Sequence, residues 1–427
     1  MEPFVLLGSF AILVVLGIPI AYALGMAAII GALYVDMPLE AVVLKISDGV
    51  DEFSLLAIPF FVLAGAIMAE GGLALRLVNL ARVFVGFIRG GLSLVNVLAS
   101  TFFGCLSGSS IADTASVGSV MIPEMERAGY PRVFATNVTV CGSVQAILIP
   151  PSHNAVIYSY ATGGTVSIAA LFLGGIGPGL TLGITLMALC LFFAHRRGYP
   201  KGEPIPIRQA LKIAADGLWA LFTVVIILGG ILSGIFTATE SASVACLYAF
   251  FITMFVYRDY KWSELPLLVH RVVKTVGMVM ILIGFAAGFG YMMAIMQIPA
   301  AITNAFLTVS DNKYVILLLI NLMFLVLGTL MDMAPLILIC TPILLPVIMT
   351  FGIDPVHFGI FMMVNLGMGL ITPPVGSTLF VGCAISGLSM EKVVKGLWPF
   401  YIVMLVALAL VVYVPTITLW IPKTFLN

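Results

Sequence analysis

The sequence predicts an all-α polytopic membrane protein built from two inverted-topology repeats. Three observations carry this. Of 427 residues, 62% are hydrophobic and 9% charged, and mean hydropathy is +1.19, whereas soluble domains carry about 25% charged residues. Several apolar runs exceed the ~20 residues a helix needs to cross a bilayer. Finally, one gapless shift of 223 residues brings Ala64-Gly65 onto Ala287-Gly288, Pro123 onto Pro346, Pro150-Pro151 onto Pro373-Pro374 and Gly164 onto Gly387. Paired, interrupted apolar segments in two halves mark a transporter made of repeats.

Taken in order, the apolar runs are 4–34, 53–70, 92–123, 133–162, 166–194, 216–235, 240–257, 271–296, 314–350, 357–385 and 396–420. The opening "MEPFVLLGSFAILVVLG" lacks a basic start followed by a short apolar core and a small-residue cleavage site, so it reads as a retained span. Run 4–34 is one kinked span or two short helices turning at Gly17-Ile18-Pro19; resemblance of "GIPIAYALG" to "GIFTATESAS" favours two, with the N-terminus outside. Residues 1–194 form the first repeat, 195–215 a polar cytoplasmic connector, and 216–427 the second repeat.

Charge fixes the orientation. With 71–91, 124–132, 195–215, 258–274 and 388–395 inside, sixteen Lys and Arg are cytoplasmic, and only Lys45, Lys313 and Lys423 lie outside. Run 92–123 then has both ends inside and forms an inner re-entrant hairpin, while 314–350 has both ends outside and forms the opposite one. Runs 133–162 and 357–385 are broken helices, because each Pro-Pro pair removes donors and blocks the preceding turn.

The same breaks carry the chemistry. Irregular backbone at membrane depth persists only when buried in protein or lining a cavity. In "GCLSGSSIADTAS", an unwound tip would offer carbonyls and Ser/Thr hydroxyls to a hard cation such as Na⁺; close packing of small residues is the alternative reading of Gly104 and Gly108. At Pro150-Pro151 the break frees carbonyls on one side and starts a half-helix on the other, whose exposed N–H groups favour an anion; a kinked structural helix is the alternative. "VLGTLMDMAP" and "GMGLITPPVGSTLF" are the partners by symmetry.

We expect one Na⁺ between Ser107, Gly108, Ser109 and Gly142, Ser143, Pro150, and a second between Gly328, Thr329, Asp332 and Gly369, Thr372, Pro373. An organic anion is expected near Ser110, Asp113, Ser152, His153, Asn154, Ser377 and Thr378. Asp113 and Asp332 are functional candidates because carboxylates inside membranes are costly; organising a hairpin tip is their alternative role. Glu240 is read as a helix cap.

Other classes fit less well. Zero formal net charge argues against nucleic acid. The six cysteines lie singly with no CxxC, and four histidines form no His/Glu cluster, so inert thiols and no catalytic metal are expected. An intramembrane aspartyl protease is disfavoured because "IADTA" and "LMDMA" lack Gly-x-Gly-Asp. A pore lined by two hairpins explains the paired broken helices less well than an occluded site.

The stretches "LLAIPFFVLAGAIMAEGG", "GCLSGSSIADTASVG", "LIPPSHNAVIYSYATGG", "GIFTATESASVACLYAF" and "GMGLITPPVGSTLFVG" resemble, in family order, the large membrane subunit of tripartite ATP-independent periplasmic (TRAP) transporters. The resemblance covers essentially the whole chain. It implies an inner-membrane, non-enzymatic, Na⁺-coupled secondary transporter of the ion-transporter superfamily. It also implies an elevator, with a transport domain sliding past a fixed scaffold, and no organic cofactor. A small four-helix membrane subunit and a soluble periplasmic binding protein are implied as separate partners. Arms at 73–90 and 296–312 would link hairpins to scaffold. "PPSHNAVIYS" looks most like the sialic-acid (N-acetylneuraminate) branch, with a C4-dicarboxylate, another sugar acid, or a standalone Na⁺/anion symporter as alternatives.

Overall fold

A computed structural model describes residues 2–426. Among them the regular elements are helices, and the sole β-type pairing is one bridge between Arg89 and Lys201. Eight helices are long and apolar enough to cross a membrane. The chain is thus the all-α membrane protein its composition predicts.

Run 4–34 is two helices, α1 (Glu2–Val15) and α2 (Ile20–Tyr34), packed together across a turn at Gly17. Gly17 has φ +85°, which only glycine adopts at little cost. α3 (Leu39–Val50), α4 (Ala57–Glu70) and the amphipathic arm α5 (Leu73–Val85) follow. α6 (Gly91–Ser107) and α7 (Ser110–Arg127) make the first hairpin and pack side by side. α8 (Arg132–Gly142) passes through a 3-10 turn at Ser143–Ile147, breaks, and resumes as α9 (His153–Ala161). α10 (Ile168–Arg197) is followed by α11 (Ile207–Leu232). The polar connector is therefore irregular only over 198–206, inside the expected 195–215. At 1.5 Å per residue α11 is about 39 Å long and overshoots a ~30 Å hydrocarbon core, so its first turns can be polar.

The second half contains α12 (Ala238–Phe251), α13 (Leu265–Ile295), α14 (Ile298–Val309), α15 (Lys313–Leu330), α16 (Met333–Thr350), α17 (Pro355–Gly369), α18 (Ser377–Ser386), α19 (Met390–Tyr413) and α20 (Thr416–Phe425). Glu240 does cap α12, in a capping box with Thr237: the Thr237 N–H donates to its carboxylate at 2.8 Å. All six cysteines are free; four are buried and two half-buried.

The 223-residue shift aligns helix ends as well as breakers. It carries Ser110–Arg127 onto 333–350, the limits of α16, and α6 onto α15 within one residue. It carries α5 onto α14 and α9 onto α18 within a few residues. Gly129 and Gly352, which end matched turns, both have positive φ. Both Pro-Pro bonds are cis. The hairpins differ in closure: α15 and α16 barely touch, α15 lying on α17 and α16 on α14 and α9.

Buried amides join each hairpin to its broken helix. Asn96 Nδ2 donates to Thr139 Oγ1 at 2.7 Å, and the Gln145 side chain accepts from Thr101 at 2.8 Å. In the second half, Asn365 Nδ2 donates to Asn321 Oδ1. Replacing Asn321 by leucine leaves that buried donor short of a partner, a cost of about 1 kcal/mol. We expect a lower thermal unfolding midpoint in detergent, partly restored in the Asn321→Leu/Asn365→Leu double variant. An unchanged midpoint in the single variant would show that the amide pair contributes nothing.

Helix α5 is ionically tethered toward both ends. Arg76 pairs with Asp216 at 3.2 Å and Asp259 at 2.5 Å, and its guanidinium lies 3.9 Å over the Tyr257 ring. One and a half turns on, Arg82 pairs with Glu124 of α7. The helix thus bridges α11 and the loop before α13 on one side and the first hairpin on the other.

Candidate functional site

Each hairpin tip meets a helix break. The first tip turns at Gly108, φ +58°, where a Cβ would strike the Pro151 carbonyl. Gly104 lies against Ala146, with a Cβ position only 2.7 Å from its Cα. At the second tip, a Cβ on Gly369 would stand 2.6 Å from Gly328 Cα. The Val375 N–H donates to the Thr329 carbonyl at 3.1 Å, fastening tip to break. Glycine is therefore required at these contacts for backbone approach.

The breaks free carbonyls, as the prolines predict. Among the described residues, no backbone N–H donates to the carbonyls of 148–151, nor to those of 372–375. These two sets coincide within one residue under the 223 shift.

Four helix N-termini are brought together around the tips: α7 at Ser110, α9 at His153, α16 at Met333 and α18 at Ser377. Ser110 Oγ and Thr378 Oγ1 are hydrogen-bonded at 2.8 Å, joining α7 to α18. A cavity of about 420 Å³ lies among the first three of these ends. Ser107, Ser109, Ser110, His153, Asn154 and Asp332 line it, with Thr275 of α13 and apolar residues of α4. Among the described residues, no Lys or Arg lines it. Ser152 and Ser377 have buried hydroxyls with no hydrogen-bond partner. Ser109 caps α7, its hydroxyl accepting the Ala112 N–H at 3.4 Å. Asp332 caps α16 by position, but its side chain makes no capping bond and is exposed to the cavity.

Other candidate residues sit apart. Ser143 is buried, its hydroxyl donating to Val140 O at 2.8 Å, and the Gly142 carbonyl accepts from Gln145 at 2.9 Å. Pro150 is buried at the first break. Thr329 and Thr372 donate to Val326 O and Met368 O, both at 2.8 Å, and Pro373 is half-buried. Asp113 does not line the cavity. It is fully buried one turn into α7 beside Ser100, and neither carboxylate oxygen has a hydrogen-bond partner. Thr114 and Asn137 likewise carry buried, unpartnered oxygens. Reading the sequence missed Ser100, Gln145, Asn321 and Asn365. Their signal was a lone amide or hydroxyl inside an apolar run.

Residues 7–417 match the family model of the tripartite ATP-independent periplasmic transporter, DctM component. An uncharacterized Salmonella typhimurium protein, YgiK, is 45% identical over 99% of this chain and 97% of its own. The C4-dicarboxylate TRAP transporter large permease protein of Pseudomonas aeruginosa is 41% identical over 90% of each chain. Relatives named for 2,3-diketo-L-gulonate (Escherichia coli) and sialic acid (Vibrio cholerae) are 36% and 39% identical, over 99% and 89% of this chain and 98% and 88% of theirs. The crystal structure of the Alcanivorax borkumensis YdaH transporter superposes with a TM-score of 0.63 at 14% identity, covering 90% of this chain and 88% of that one, and so shares the fold.

Proposed function

The chain belongs to the DctM-component family of tripartite ATP-independent periplasmic transporters, and from that premise we propose that it couples Na⁺ entry to import of an organic anion. It is a large permease subunit of the inner membrane serving organic acids, and not an enzyme. The observation that carries the coupling is a cavity lined by three helix N-termini and one carboxylate but no basic side chain, next in the chain to two helix breaks whose carbonyls accept no backbone N–H among the described residues. Carbonyl and carboxylate oxygens suit a hard cation, while half-helix N-termini suit an anion.

Ser107, Gly108 and Ser109, with carbonyls of 148–151, would hold one Na⁺. Asp332 and Thr329, with carbonyls of 372–375, would hold the second. The anion lies at Ser110, His153, Asn154, Ser377 and Thr378. Filling the ion sites orders the tips, so substrate binds the filled form better, which is the differential affinity that coupling needs. The hairpins and broken helices move as an elevator, with α5 and α14 as arms and the Arg76 and Arg82 contacts transmitting the displacement.

Because its relatives are named for different acids at nearly equal identity, overall identity does not choose the substrate. "PPSHNAVIYS" points to N-acetylneuraminate, with a C4-dicarboxylate the second reading because several relatives are named for it. A small membrane subunit and a periplasmic binding protein complete the transporter. Uptake of each acid into proteoliposomes, with and without a Na⁺ gradient and both partners, tests the proposal. We expect uptake only with all components. Transport that persists without Na⁺ removes the coupling proposal, and robust uptake by the chain alone makes it a standalone symporter.

A further inference from the structure

A second cavity, remote from the hairpin tips, carries the opposite electrostatic character. It measures about 430 Å³ and lies where the start of α15, the start of α17 and the α19–α20 junction meet. Lys313, Lys423, His357, Tyr314, Tyr413 and Asp354 line it. Lys313 and Lys423 are two of the three basic residues that the charge count leaves outside. The central cavity has none.

The charges there are not consumed by their surroundings. Neither lysine forms an ion pair among the described residues, and Lys313 only reaches the Gly352 carbonyl at 3.4 Å. Asp354, the one acid in the cavity, is engaged as the cap of α17, its Oδ1 accepting the Val356 N–H at 2.8 Å. His357 is 3% exposed, and its Nε2 is buried without a hydrogen-bond partner. In the tautomer that protonates it, a buried ring nitrogen without a protein partner, beside two ammonium groups, donates to an acceptor. The volume is that of a small-molecule site, and lysines meet phosphate as point charges.

We propose that this cavity binds a phosphate-type oxyanion, between Lys313, Lys423 and His357 Nε2. Two sources present that chemistry: the headgroup of an anionic phospholipid and free phosphate. The tyrosine pair, ring centroids 6.2 Å apart, lines the cavity, and tyrosine is a residue type enriched at bilayer interfaces.

The full chain, reconstituted in nanodiscs of phosphatidylcholine, distinguishes them. Its thermal unfolding midpoint is followed while inorganic phosphate is added, against sodium chloride at matched ionic strength, and separately in discs containing phosphatidylglycerol. A ligand that binds only the folded chain raises the midpoint. A rise with phosphate identifies the free anion, and a rise only with phosphatidylglycerol identifies the headgroup. In the Lys313→Gln/Lys423→Gln variant the rise should vanish, or need about tenfold more ligand. The proposal is overturned if neither ligand raises the wild-type midpoint, or if the variant responds as wild type does. Should the double variant fail to fold, Lys423→Gln alone serves, because that side chain is exposed.

Discussion

Replacing Gly369 by alanine is expected to lower the initial rate of uptake about a hundredfold while the chain remains folded. The added methyl would sit 2.6 Å from Gly328 Cα, well inside contact distance. Backbone faces it, not a side-chain end that can swing aside, so the second tip must retreat by about an ångström. A displacement of that size at a binding constellation costs on the order of 10²-fold. Gly277→Ala is the matched control, since its methyl meets nothing within 4 Å. Both variants should elute as wild type on size exclusion. Wild-type uptake by the Gly369→Ala chain would sink the idea that tip-to-break contact governs transport.

The second large effect is expected at Asp332. Substitution by asparagine keeps the shape and removes the charge from the cavity wall. A hydrogen bond or ion contact to a charged group contributes roughly 1.5–3 kcal/mol, so half-saturation by Na⁺ should rise about 10- to 100-fold. Asp113→Asn should behave differently. That carboxylate is buried away from the cavity, so its loss should shift the unfolding midpoint and leave the Na⁺ curve in place. An unmoved Na⁺ curve in Asp332→Asn would remove Asp332 as an ion ligand.

The contrast between these aspartates shows what was legible in the sequence. Proline and glycine act locally, so the hairpin 92–123, the breaks at Pro150 and Pro373, and the 223-residue register could be read directly. Depth, face and partner depend on packing, and they could not. Asp113 and Asp332 look alike in the sequence as carboxylates in hairpins. The register pairs Asp332 with Ser109 instead, both caps of a second arm, whereas Asp113 corresponds to Leu336. Gly142 and Ser143 were expected at an ion site as part of the first broken helix facing the inner hairpin tip. A 3-10 turn and the Gln145 side chain satisfy those groups, and the unpartnered carbonyls begin only at residue 148. Nothing local announces that a glutamine three residues away will fold back.

The absence of Lys and Arg from the central cavity has an electrical consequence. When empty, the cavity's one lining carboxyl group is that of Asp332, and in its ionised form the cavity carries a negative charge. A negative group in a membrane held negative inside is driven toward the outer face, at about 2.3 kcal/mol per elementary charge per 100 mV for a full crossing. The cations proposed above would cancel that bias on binding, and their release would restore it. Voltage would then act mainly on the unloaded return stroke, recocking the carrier toward the side where its cargo arrives.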